Sequence, residues 1–248
     1  RQISNSTPIY DIALSFMASS EDPISGGRHK VIGSEALNIP PQTSTIASHL
    51  PKAVGTAFSI DRARDLNLSE KKLANDSIVL CSFGDASANH ATALSAFNTA
   101  CLVSSQGGHI PIIFICEDNG KGISVPTDEN WIESNFSNRY GMKYIKTDGL
   151  HLIDLVLKAK EAEKECRLNR KPVFLHMKTV RLIGHAGSDI EVGYRELKDI
   201  ENDEFDDPLL HSARILIENN CISKEEVLSL YKQKRLQVER VFNTAISK

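Results

Sequence analysis

The sequence predicts an α/β fold: a doubly wound, mostly parallel sheet with helices on both faces, followed by a helical C-terminal tail. Three observations carry this. Four short β-rich segments recur along the chain, and two are continuously apolar, as expected of strands covered on both faces. Helical patterns separate them, and alternation of strand and helix argues for a parallel sheet. After Arg181 the strand signals stop, and Arg195 to Lys248 reads as mostly helix. The pattern divides the chain into an α/β domain over residues 1–190 and a helical extension over 191–248.

In chain order, the first 27 residues have weak pattern and end in Gly26-Gly27, so periodicity assigns them no element. Ser48 to Arg64 reads as a helix, with Leu50, Val54 and Ala57 on one face and Pro51 in its first turn. Arg64 to Asn75 is polar and reads as a surface excursion. The strands are SIVLCSF (Ser77 to Phe83), HIPIIFIC (His109 to Cys116), MKYIKT (Met142 to Thr147) and PVFLHMKT (Pro172 to Thr179). Ala88 to Val103 reads as a helix with Leu94, Phe97 and Cys101 on one stripe, and Leu150 to Arg167 as a second. In the tail, Asp206-Asp207-Pro208 breaks the helix and Asn219-Asn220 ends one. Ser223 opens the last as a capping box with Glu226.

The 248 residues suffice for one large core. A net charge of −3 gives no basic footprint for nucleic acid or anionic membrane. No stretch is apolar enough to span a bilayer. The five cysteines have no metal-ligand spacing, and Cys81 and Cys116 sit inside strands, so buried reduced thiols are expected. The chain opens Arg-Gln-Ile without a Met; the expectation is a truncated, processed or cleaved piece of something longer.

The strongest chemical signal joins two strand ends. SIVLCSF runs into Gly84-Asp85-Ala86-Ser87, and IPIIFIC runs into Glu117-Asp118-Asn119-Gly120-Lys121-Gly122. In a parallel sheet both ends lie on the edge where ligands sit. Asp85 and Asn119 then present oxygens to one point, a donor set that suits Mg²⁺. The helix after Asp85 points its N-terminus there, which favours phosphate. Asp or Asn after a strand is also common turn chemistry; the pairing on two strands is the specific feature. No GxGxxG follows a strand, which disfavours a Rossmann nucleotide binder.

The stretch GDASANHATALSAFNTA…PIIFICEDNGKGISVPT resembles the thiamine-diphosphate signature, which runs from Gly-Asp-Gly to a closing Asn-Asn. Ala86 and Asp118 depart from it, the latter at the first Asn. The interval from Asp85 to Asn119 is also longer than usual, with the extra residues assigned to Ser104 to Gly108. Losing glycine's access to positive φ at Ala86 puts the loop geometry in question. PQTSTIASHLPKAVG resembles the segment that approaches the cofactor's aminopyrimidine through backbone groups. TVRLIGHAGSD, followed by Tyr194-Arg195, resembles the loop that bears an active-site histidine. Together they identify the chain as similar to the alpha subunit, or the alpha half of a fused chain, of the decarboxylating component of 2-oxo acid dehydrogenases. The likeness covers residue 10 to the C-terminus.

The resemblance implies a thiamine-diphosphate-binding fold. It implies Mg²⁺ held by Asp85, Asn119 and the backbone carbonyl of Lys121, and cofactor contacts from Ser44, Ile46, Gly84, Asp85, Ala86, Ser87, Asn119, Lys121, Ile123 and His185. His185 is the implied catalytic residue, donating to phosphate oxygens or shuttling a proton. A lone loop histidine is more often a solvated bystander. Arg181 and Arg195 are candidate loop anchors, through Asp189 or a neighbour. A potassium ion, as in branched-chain relatives, would use Thr43, Thr45, Ser48 and His49. Where mammalian relatives place a regulatory serine after the histidine, this chain has Ala186, so no phosphorylation switch is expected there.

The implied activity is oxidative decarboxylation of a small 2-oxo acid with acyl transfer to a lipoyl group. PQTST leans toward the branched-chain type over the pyruvate type. Implied partners are a beta subunit or half, which carries the glutamate that protonates the cofactor ring, and a lipoyl-bearing acyltransferase core. The implied location is a bacterial cytoplasm or a mitochondrial matrix. In the family, a Tyr-Arg pair whose arginine helps to bind the pyrophosphate lies in a part that precedes this likeness, and no pair matching it is seen in the residues given. Alternatives are an acetoin-cleaving or transketolase-like enzyme, or a non-catalytic assembly subunit.

Overall fold

The computed structural model describes residues 8–42, 44–68 and 73–247. The chain forms two compact units, one of Arg1–Thr45 with Ile215–Lys248 and one of Ile46–Arg214.

The larger unit holds α2 (His49–Asp65), β1 (Val79–Gly84), α3 (Ala91–Ser105) and β2 (Ile112–Asp118). It continues with the short hairpin β3 (Lys121–Gly122) and β4 (Val125–Pro126), then α4 (Trp131–Phe136), β5 (Lys143–Asp148), α5 (Leu152–Asn169), β6 (Val173–Lys178) and α6 (Leu197–Phe205). Four strands form one parallel sheet in the order β1-β2-β6-β5. Each strand lies within three residues of its sequence expectation, because apolar runs flanked by turn residues mark strands locally.

Alternate residues of the sheet feed two cores. On one face Phe114 and Phe174 pack with Leu50, Val54 and Ala57 of α2, Phe97 of α3 and Phe136 of α4. Phe136 stacks on Phe174 at 4.3 Å between centroids, and Phe97 meets Phe114 edge-on at 4.9 Å. On the other face Ile113, Val173, Leu175 and Ile145 pack against Ala162 and Cys166 of α5. Helices therefore cover both faces, as the alternating pattern predicts.

Two expectations are corrected. β1 is not covered on both faces: it is the edge strand, and Leu80 is 64% exposed. On α3, Phe97 and Cys101 face the core as expected, but Leu94 does not. Leu94 is exposed, while Ala93, Ala96, Phe97, Ala100 and Cys101 are buried, because small side chains let the helix approach the sheet closely. All five cysteines are free, four of them buried.

The smaller unit pairs α1 (Pro8–Phe16) with α8 (Lys224–Ile246), burying Ala13, Leu14 and Ala245 together. Sequence pattern had given the first 27 residues no element. α7 (Pro208–Glu218) starts at the expected Asp-Pro break, and Asn220 ends it with φ +55°. The Ser223–Glu226 capping box forms in both directions at the start of α8.

Candidate active site at the ends of β1 and β2

β1 and β2 end side by side, with Gly84 opposite Glu117, so Asp85 and Asn119 both emerge at the carboxyl edge of the sheet. Asp85 is 2% exposed. Its carboxylate accepts from the Thr127 hydroxyl, and the backbone amides of Asp85 and Asn119 favour its charged form. Burial pushes its carboxyl above the ordinary value, the Thr127 hydrogen bond opposes that, and the nearby Asp118 charge adds to the rise. Among the described residues no cationic side chain pairs with Asp85. A desolvated carboxylate without a cation is costly, and a divalent cation would relieve it.

The loop after β2 is built to turn back. Asn119 Oδ1 accepts from the Lys121 amide at 3.0 Å, a local Asx turn that leaves the amide oxygen a second lone pair. Gly120 sits at φ +72°, where a side chain would strain the backbone. The β3–β4 hairpin then returns the chain so that Thr127 reaches Asp85, and the Thr127 amide donates to the Gly120 carbonyl at 2.9 Å. A Cβ on Gly122 would lie 3.1 Å from the Ala86 Cβ, so the two loops meet through their smallest residues. Ala86 opens a 3₁₀ turn over Ala86–Asn89 and is not among the residues with positive φ. The glycine freedom missing there is not needed. That turn also shifts the helix expected over Ala88 to Val103: α3 begins only at Ala91, with the His90 ring accepting the Thr92 amide.

The donor set fits magnesium by type. Asp85 offers a carboxylate oxygen, Asn119 an amide oxygen and Lys121 a backbone carbonyl. Among the described residues no cluster of three His, Cys, Asp or Glu could hold a metal. An ion here would complete its shell with phosphate oxygens and water.

A second loop bears His185. Its imidazole is exposed, and its backbone amide donates to Asp189 Oδ2 at 2.7 Å. Tyr194 Oη donates to the same carboxylate oxygen at 2.8 Å. Arg181 donates to the carbonyl of Ile123 at 2.7 Å, to Glu191 at 2.9 Å and to Tyr194 Oη at 2.8 Å. Arg195 donates to Glu191 and, at 2.7 Å, to Asp203, which also takes Lys121 Nζ at 2.9 Å. Both arginines are loop anchors as expected, but their shared carboxylate is Glu191 and not Asp189; Asp189 is reached through Tyr194. A continuous polar chain thus runs from Lys121 and Ile123 to His185.

A family model for dehydrogenase E1 components matches residues 2–248. The chain belongs to the dehydrogenase E1 component family. This E1 chain is 30% identical over 207 residues to the 2-oxoisovalerate dehydrogenase subunit alpha, mitochondrial, of Mus musculus, covering 82% of this chain and 43% of the relative. The 2-oxoisovalerate dehydrogenase subunit alpha of Bacillus subtilis (strain 168) is 30% identical over 220 residues, covering 87% and 62%. The pyruvate dehydrogenase E1 component subunit alpha, mitochondrial, of Dictyostelium discoideum is 25% identical over 204 residues, covering 82% and 50%. The chain spans about half the length of the curated relatives it matches.

In the E1 chain, Gly84 is the last residue of β1, and Asp85, Ala86 and Ser87 follow it. Asn119, Lys121 and Ile123 lie on the loop after β2, and His185 is tied to Ile123 through Asp189, Tyr194 and Arg181. Ile123 has φ +59° and a half-exposed side chain. Ile46 is exposed. Ser44, in the smaller unit, lies 3.5 Å from His29 Nε2. Of the potassium candidates, Thr43 lies outside the described residues, Thr45 is exposed and Ser48 is half-buried. His49 Nε2 donates to the Ser82 carbonyl at 2.8 Å. Sequence reasoning missed Thr127 and Glu191. Each is an ordinary loop residue, and only the hairpin and the loop closure give them partners.

Proposed function

We propose that this chain is the cofactor-diphosphate-holding alpha part of a thiamine-diphosphate-dependent 2-oxo acid dehydrogenase, carrying out oxidative decarboxylation with acyl transfer to a lipoyl group. The observation that carries the reading is Asp85: a buried carboxylate with no cationic side chain among the described residues, beside Asn119 at the ligand edge of the sheet. The family match supports it.

Thiamine diphosphate, when bound, supplies the carbon nucleophile and the electron sink of decarboxylation. The residues of this chain bind and orient. Asp85, Asn119 and the Lys121 carbonyl would hold Mg²⁺ against the diphosphate. Gly84, Ala86, Ser87 and Ile123 would line the approach to it. His185, held by its backbone with an exposed imidazole, would donate to a phosphate oxygen or move a proton at the reacting carbon. Ser44 and Ile46 are assigned to the aminopyrimidine on the resemblance alone, and a potassium ion near Thr43, Thr45, Ser48 and His49 stands on the same ground.

A companion beta chain or half would complete the site, and a lipoyl-bearing acyltransferase core would take the acyl group. The names of several relatives favour a branched 2-oxo acid such as 2-oxoisovalerate as substrate, with a bacterial cytoplasm or a mitochondrial matrix as location. The test is native mass spectrometry of the protein purified gently from its source. The expected result is an assembly with a second chain or half, carrying the added mass of thiamine diphosphate and Mg²⁺. A solitary chain without that mass would overturn the reading.

A further inference from the structure

Beneath the metal-site loop lies a row of polar side chains that the proposed chemistry does not use. Tyr144 on β5 donates its hydroxyl to His176 Nδ1 at 2.6 Å. His176 on β6 is fully buried, and its Nε2–H donates to Asp118 Oδ2 at 2.6 Å. Lys178, two residues further along β6, places Nζ 2.7 Å from the same oxygen. The Asp118 carboxylate only accepts, so the ring nitrogen that faces it carries the hydrogen.

Asp118 is the last residue of β2, 3% exposed, and stands opposite Lys178 in the parallel register. Its Oδ2 is saturated by the two cross-strand donors. Its Oδ1 turns the other way and accepts the Gly120 amide at 3.2 Å. That bond closes the turn whose middle residue is Asn119, and the Lys121 carbonyl leaves the same turn. The Asp118 backbone carbonyl accepts the Thr179 amide at 2.8 Å, which pins the strand end to β6 as well.

We infer that Lys178 and His176 are positioning residues for the metal-binding loop: they hold the Asp118 carboxylate so that its free oxygen sets the turn carrying Asn119 and Lys121. The physical reason is charge. A carboxylate this deep and this close to buried Asp85 needs a cation. Lys178 supplies it from the sheet edge, where its side chain stays 37% exposed. With Lys178 removed, His176 alone remains on Oδ2, and the carboxylate without its cation is drawn toward water and away from the Gly120 amide. This inference rests on the proposed metal site, and the experiment separates the two.

The assembled enzyme carries Lys178→Met, Lys178→Arg, or the pair Asp118→Asn with Lys178→Met. Mn²⁺ is titrated in the presence of thiamine diphosphate, with bound ion read as loss of the free-ion electron paramagnetic resonance signal. Hydrogen exchange of a peptide spanning residues 117–123 is followed without any metal. Lys178→Met should weaken Mn²⁺ binding about 10- to 100-fold and speed exchange in the peptide. Lys178→Arg, which keeps the charge, should hold both near wild type. The double variant, whose neutral amide needs no cation, should recover most of the affinity. If Lys178→Met binds Mn²⁺ and exchanges as wild type does, or if the double variant is no better than Lys178→Met, the inference fails. Failure of the wild-type protein to bind Mn²⁺ would instead sink the metal-site proposal. The exchange measurement then still decides whether Lys178 sets the turn.

Discussion

Arg181 and Ile123, 58 residues apart, are joined by a hydrogen bond of 2.7 Å from the guanidinium to the backbone carbonyl. The other end of Arg181 holds Glu191 and Tyr194, and Tyr194 holds the Asp189 that receives the His185 amide. One side chain therefore ties the loop after β2 to the loop of the candidate catalytic histidine. The Arg181 side chain is 11% exposed, so these charge-assisted bonds form largely out of water.

Replacing Arg181 by Met should free both loops. Glu191 would keep only Arg195, and the cost is about 2–3 kcal/mol for a half-broken buried pair. Urea unfolding should show that loss, and hydrogen exchange should rise in residues 183–194 but not in β2. Unchanged exchange in that loop would mean that Arg195 and Asp203 suffice to order it.

Thr127 donates to buried Asp85. Thr127→Val keeps the shape and removes the donor, so Asp85 loses the bond that opposes its desolvation. Mg²⁺ affinity should fall about 10-fold, while Thr127→Ser stays near wild type. Isothermal titration in the presence of thiamine diphosphate reads the difference; equal affinities for the Val and Ser variants would contradict it.

His185 contributes no side-chain hydrogen bond to the described fold, and only its amide is engaged. His185→Ala should leave stability within about 0.5 kcal/mol and lower turnover of the assembled enzyme by about 10²-fold. A large loss of stability, or full turnover, would remove His185 from the chemistry.

At the opposite edge of the sheet, Asp61 is buried beneath Arg170, which donates twice to it at 2.7 and 3.1 Å, with His109 Nδ1 at 2.7 Å. Burial works against this carboxylate, but the hydrogen bonds and charge of Arg170 outweigh it and hold its pKa below the ordinary value. An acid with a depressed folded-state pKa stabilises above its unfolded value, about 4, and the gain disappears as pH falls through the lower folded value. Asp61→Asn should cost about 3 kcal/mol near neutrality. The gap from wild type should narrow below about pH 4. Urea unfolding from about pH 3 to 7 tests this, and a gap independent of pH would refute it.

Much of this fold was legible in the residues themselves. The strand signals at SIVLCSF and PIIFIC, the capping box at Ser223 and the break at Pro208 are local patterns, set by side-chain period and turn chemistry within a few residues. Parallel strands also determine that Asp85 and Asn119 share an edge, because residues after successive strands must emerge on one side.

What the tertiary structure alone decided is which groups face one another across distance. Periodicity marks a face as apolar but does not say which strand ends the sheet, so the exposure of Leu80 on β1 was not readable. Pairs such as Thr127 with Asp85, 42 residues apart, and His176 with Asp118, 58 apart, arise from the hairpin after β2 and from the placing of β6 beside it. α1 against α8 is the extreme case, joining the two ends of the chain. A polar residue in sequence announces only that it needs a partner; packing chooses the partner, because the free energy of a buried charge depends on what closes around it.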